Sequence, residues 1–175
     1  ILVSVVSVFR VLASCRIPAT PVAGNRCSMI LPTEEFVAWA ERLAGLDWPI
    51  SGEEFPQVAA SLGWVPSDIR NQFVTGIGAQ SDLASFHTEP TGMVKDVRFN
   101  LTDFLRHEGR GPIINDHFVA YVTAGKEAFG KPDKMTPGSM KEAWWKRSNG
   151  AVITLIASSF GVALKVYSPQ GVEYM

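Results

Sequence analysis

Cysteine is confined to Cys15 and Cys27, so the stretch from Met29 to Met175 holds no thiol. That stretch builds no disulfide, thiolate metal site or cysteine nucleophile. Acid is missing from the other end: residues 1–28 carry Arg10, Arg16 and Arg26 as their only charges. The formal net charge of −1 becomes −4 from Met29 onward, where 13 Lys+Arg face 17 Asp+Glu. A domain of that sign is poorly suited to sequence-independent nucleic-acid binding, which depends on Lys and Arg neutralising phosphates. Long apolar runs are missing too. A bilayer span needs roughly 20 apolar residues, and the run from Ile1 to Phe9 is stopped by Arg10.

Recognisable catalytic and metal motifs are equally scarce. His87, His107 and His117 stand at no metal or triad spacing, and His107-Glu108 lacks the second histidine of a zincin helix. No Gly-x-Ser-x-Gly elbow occurs. Gly76-Ile77-Gly78-Ala79-Gln80-Ser81 follows a candidate strand. It lacks the third glycine, long helix and parallel strand of a dinucleotide fingerprint. No cofactor and no metal are expected. The segment reads instead as a loop between strands, and such loops commonly carry recognition.

What is present is the composition of a folded domain: 46% apolar, 19% charged and five tryptophans. Residues 29–175 form a single expected domain, long enough to bury a core without disulfide or metal. Residues 1–28 form an N-terminal extension with three open readings. One is an export signal with a lipoprotein-like box at Leu12-Ala13-Ser14-Cys15, although no basic region precedes it and Arg10 interrupts its apolar stretch. The others are an incidental extension from an upstream start, or an added strand through Val3, Val5, Val6 and Val8.

Periodicity divides the domain into helices and strands. Thr33 after Pro32 is the expected N-cap of a first helix with Glu34 and Glu35 in its first turn, ending at Gly45. Ser51-Gly52-Glu53-Glu54 is a capping box before a second helix whose stripe is Phe55, Val58, Ala59 and Leu62, with Pro56 tolerable only in a first turn. Strands follow at Gln72 to Thr75, Leu83 to Thr88 and Met93 to Leu101, the last with a wet face. A third helix capped by Asn115 or Asp116 runs through Phe118, Val119, Val122 and Phe129 to Gly130. Three strands close the chain, the first two joined by a Ser148-Asn149-Gly150 turn, where Asn-Gly is a strong hairpin signal. The order ααβββαβββ predicts an α+β fold: an antiparallel sheet with helices packed on one face. The other face is left to water or a partner. Trp144 and Trp145 must point to opposite faces, and a helix-covered sheet places both in the core. The competing reading makes one of them an exposed anchor beside Lys146 and Arg147.

Trp48 to Trp64, the strand end Val97 to Asp103, the Phe129-Gly130-Lys131-Pro132 helix exit and the Trp144/Trp145 strand together carry a resemblance. It spans roughly residues 33–167. The chain resembles small actinobacterial immunity proteins of the kind that neutralises the mycobacterial necrotizing toxin, an NAD glycohydrolase. The resemblance implies a cytoplasmic antitoxin without enzymatic activity, which binds its cognate toxin about 1:1 and covers the NAD site. No membrane or nucleic-acid partner is implied.

Physics alone supplies interface candidates. Gly76, Gly78, Ala79, Gln80, Ser81 and Asp82 form a small-residue loop able to enter a cleft, while Asp103, Glu108 and Asp116 could steer the domain to a basic toxin surface. Two rivals remain: a secretion chaperone holding an extended segment along a sheet edge, and a small enzyme with a spatially assembled His and carboxylate site.

Overall fold

A computed structural model describes residues 30–77, 82–105 and 108–175. The helices are α1 (Thr33–Ala44), α2 (Phe55–Ser61) and α3 (Arg110–Phe129), with a closing 3₁₀ turn η1 (Gly171–Tyr174). The strands are β1 (Val65–Pro66), β2 (Gln72–Val74), β3 (Leu83–Thr88), β4 (Val94–Asn100), β5 (Lys134–Thr136), β6 (Lys141–Lys146), β7 (Val152–Ala157) and β8 (Val162–Tyr167). They form one sheet in the order β1-β2-β3-β4-β8-β7-β6-β5, antiparallel throughout. The fold is α+β. The expected order is present, with β1 and β5 added as short strands at the two edges. Alternation cannot detect them, because two or three residues hold no full period.

Local chemistry sets the helix ends. In α2, Ser51 and Glu54 close a reciprocal box: the Ser51 N–H donates to Glu54 Oε2 at 3.1 Å and the Glu54 N–H to Ser51 Oγ at 3.2 Å. Pro56 falls in the first turn, where its missing N–H leaves no gap. In α1 the N-cap is Pro32 and not Thr33, whose hydroxyl donates to the Glu34 side chain. The third helix starts at Arg110, ahead of Asn115 and Asp116. Gly109 makes that early start possible by taking a left-handed φ of 79° at the N-cap, and Pro112 sits in the first turn, where helical N–H groups have no partner anyway. Asn115 lies within the helix and accepts a hydrogen bond from Lys141 Nζ.

All three helices pack on one face of the sheet. That inner face is lined by Phe73, Ala84, Phe86, Val97, Phe99, Leu164, Val166, Ile153, Leu155 and Trp145, all buried. Phe55 of α2 stacks on Phe86 at 4.6 Å and on Phe73 at 5.8 Å, and Trp39 of α1 meets Phe99 at 6.0 Å. Phe36 joins α1 to α3 through Tyr121 at 5.4 Å and Phe129 at 6.3 Å. The Tyr121 hydroxyl donates to the Leu31 carbonyl at 2.6 Å, and burial raises its pKa far above the ordinary tyrosine value. The predicted hairpin tip is tied in as well: Asn149 Nδ2 donates to the Ala44 carbonyl at 2.7 Å, so the β6–β7 turn caps the end of α1.

The tandem tryptophans divide between the faces. Trp145 is 1% exposed and inner, its Nε1 donating to the Gly130 carbonyl at 2.9 Å. Trp144 is a partly exposed residue of the outer face, its Nε1 donating to Glu142 at 3.1 Å and its ring 4.3 Å beneath Lys134 Nζ. Assigning both to the core therefore fails for Trp144, because helices cover only one face. Trp145→Ala is expected to cost about 3–5 kcal/mol and Trp144→Ala only about 1 kcal/mol; urea unfolding of both variants checks the contrast. A pH effect follows from the capping box. The Ser51 N–H and hydroxyl hold the Glu54 carboxyl below its usual value, the backbone bond contributing most. A depressed folded pKa gives stability that is present above the unfolded value and lost as pH falls through the folded one. Acidification from about pH 5 to about pH 3 should thus lower the melting temperature of the native chain more than that of Glu54→Gln.

Candidate functional site

Alternation turns a second set of side chains to the face on which no described helix packs, where Thr154, Val152 and Asp96 are nevertheless buried and Lys134, Lys146, Arg98 and His87 are exposed. One continuous row of cross-strand partners runs Lys134, Trp144, Thr154, Lys165, Arg98, Ser85, Gln72 across seven strands. A neighbouring row runs Lys146, Val152, Tyr167, Asp96, His87. A register shift between His87 and Thr88 places Lys95 as the extra residue of a bulge, which keeps Val94 and Val97 inward and turns Asp96 outward.

At the centre of this face Asp96 is 1% exposed. His87 Nδ1 lies 2.7 Å from Asp96 Oδ1 and Lys165 Nζ 3.2 Å from Asp96 Oδ2. Lys165 also sits 4.4 Å over the Tyr167 ring. Facing a carboxylate, Nδ1 carries the ring hydrogen, so Asp96 fixes the tautomer and leaves Nε2 unshielded. That is half of a general-base arrangement. Its other requirement is an enclosed reaction space; among the described residues the His87 side chain is 58% exposed.

Beside the pair lies a groove of about 310 Å³, walled by Leu83 and Phe104 and floored by β3 and β4. Its polar lining is Gln72, Ser85, His87, Arg98 and Asn100. Among the described strand residues of the outer face the cations are Lys134, Lys146, Lys165 and Arg98, and the carboxylates are Asp96 and Glu142, both engaged. The face is therefore positive on a domain that is negative overall.

Of the sequence-predicted site residues, the described ones, Gly76, Asp82, Asp103, Glu108 and Asp116, do not line this groove. Gly78, Ala79, Gln80 and Ser81 fall outside the described residues, as does His107. The base of their loop is tightly bonded: Asp82 accepts from the Gly76 and Ile77 N–H groups at 3.1 and 3.0 Å and from the Thr75 hydroxyl. The Asp82 carboxylate thus ties Thr75, Gly76 and Ile77 to the start of β3, and Gly76 supplies a left-handed φ of 69°. Asp103 is 7% exposed, which removes it from surface steering. Glu108 and Asp116 are exposed, Asp116 on α3 and so across the sheet from the groove. His117 lies on the same helix, far from the His87–Asp96 pair. Among the described residues no group of three His, Cys, Asp or Glu side chains could hold a metal ion, and no helix is long and apolar enough to cross a membrane. Of the groove's polar residues the sequence analysis names only His87; for the others, alternation in Leu83 to Thr88 and the wet side of Met93 to Leu101 is the available signal.

Residues 34–168 match a family of unknown function, DUF6301. The chain belongs to this family. The match runs from the first turn of α1 to the end of β8, so the helix-covered face of the sheet and the opposite face both lie within the matched residues. No curated protein and no solved structure matches the chain.

Asp96 supports this face electrostatically. Removing its charge leaves Lys165 half-buried without a counterion, opposite Arg98 in register. Asp96→Asn is expected to cost about 2–3 kcal/mol, whereas His87→Gln, at an exposed partner, costs less than about 1 kcal/mol; paired urea titrations separate the two.

Proposed function

We propose that this chain is an immunity-type inhibitor, without catalysis of its own, which docks the open face of its sheet on a cognate toxin, an NAD glycohydrolase, and blocks access to its active site. The observation that carries the reading is the outer row itself. Trp144, Tyr167 and Arg98 are of the residue types that dominate interface hot spots, and they stand on rigid strands with Lys134 and Lys165 beside them. Eight strands spaced about 4.8 Å apart make a face about 34 Å wide. With strands of six residues in the middle, its area is on the order of 600 Å², near the roughly 800 Å² per partner of a standard complex.

The edges favour a docking face over strand addition. β1 has two residues and ends in Pro66, while β5 has three and is followed by Pro137. Short, proline-marked edges offer little template for an extended segment, which weighs against a chaperone that captures its substrate along an edge. The charge of the face also redirects the expected complementarity. The domain's net acidity suggested a basic partner surface; the positive outer face suits an acidic one.

The test mixes the purified protein with the NAD glycohydrolase domain and follows NAD consumption at rising molar ratio. Activity should fall to completion near equimolar protein, and size-exclusion mass should give a monomer that forms a 1:1 complex. Trp144→Ala, still folded, should weaken inhibition by about thirtyfold or more. Undiminished NAD turnover removes this toxin as the target, and a stable dimer without complex formation favours the chaperone.

A further inference from the structure

The groove between Phe104 and His87 offers several side-chain donors, one of them a fixed cation. Gln72, Ser85, Arg98 and Asn100 present an amide, a hydroxyl, a guanidinium and a second amide, and among the described residues no carboxylate lines the space. None of these four side chains makes a hydrogen bond or ion pair with a described residue. Asp96, two residues before Arg98 on β4, is engaged by His87 and Lys165. Arg98 is meanwhile held directly opposite Lys165 in the β4–β8 register. Like charges in that position destabilise an antiparallel pair. The fold thus keeps a forked cation exposed, beside another cation, in a concave space furnished with neutral donors.

We infer that this groove is an oxyanion site, in which a carboxylate or phosphate group seats on the Arg98 fork and accepts hydrogen bonds from Gln72, Ser85 and Asn100. Arg is suited to both groups because its planar donors match two oxygens at once. Phe104, 42% exposed, supplies an apolar wall for the carbon skeleton bearing the charge. A bound anion would also relieve the repulsion between Arg98 and Lys165. The inference rests on the open face being the binding surface, and it specifies what that face takes: an Asp or Glu side chain presented by the partner, or a free molecule carrying phosphate.

The experiment uses the isolated protein, so that its outcome is independent of any toxin. The side-chain N–H signals of Arg98, Gln72 and Asn100 are followed by NMR during titration with inorganic phosphate and, separately, with N-acetyl-aspartate amide, ionic strength being held with sodium chloride. Saturable shifts confined to these groups are expected. Arg98→Leu should weaken the response by about tenfold or more, while Lys146→Gln, which removes an equal charge outside the groove, should leave it unchanged. Tighter binding of the aspartate probe identifies a protein carboxylate as the natural occupant, and tighter binding of phosphate identifies a free phosphate compound. Shifts that fail to saturate with either probe, or that persist equally in Arg98→Leu, overturn the site. Arg98→Gln gives the same reading should the leucine variant not fold.

Discussion

The close approach of α3 to β6 at Gly125 and Trp145 fixes the distance between the helical layer and the sheet. A β-carbon at Gly125 would stand 2.7 Å from the Trp145 ring, so only glycine lets the indole lie against the helix backbone. Trp145 is held at both ends, by Phe129 at 5.9 Å and by its hydrogen bond to Gly130. With α3 seated there, Tyr121 reaches the Leu31 carbonyl and Phe36 can bridge α1 to α3. The inner face is thereby filled by one layer of helices. Interiors at this packing density leave no slack for a shift of that layer.

One layer of helices covers one face, and the remaining properties of the molecule follow from that asymmetry. Each strand that turns apolar residues inward must turn its alternate residues outward. In a sheet eight strands wide those alternates meet as rows. Their polar character is managed internally where burial demands it: Asp96 is neutralised by His87 and Lys165, Glu142 is occupied by Trp144, and Lys134 lies over the Trp144 ring. Arg98 stands between Ser85 and the like-charged Lys165 in register, with no ion pair to a described residue. Local sign and overall sign consequently differ, since most of the excess acid lies on helices and loops away from this face.

Much of the fold was legible because its signals are local. The Ser51–Glu54 box, the Asn149-Gly150 hairpin, the stripe on α1 and the strands β3, β7 and β8 depend on residues a few positions apart, and each is present where periodicity and turn chemistry placed it. The start of α3 was misplaced for a local reason as well: Asn115 and Asp116 are good caps, but Gly109 and Pro112 together open the helix earlier. The candidate site was far less legible. Gln72, Ser85 and Arg98 are separated by 13 residues each in sequence, and Lys165 lies farther still, yet they stand side by side in one row.

By itself, then, the sequence determined the α+β class, the helix and strand segments, the absence of thiol chemistry from residue 29 onward, and the opposition of Trp144 to Trp145 across a strand. Only the tertiary structure decided which of the two tryptophans is core, that β4 pairs with β8 across the intervening chain, and that a positive, groove-bearing face results. The reason is physical. Alternation states that neighbouring side chains part to opposite sides, but the choice of side, and the partner strand, is made by the helices that bury one face and by long-range pairing that no local period encodes.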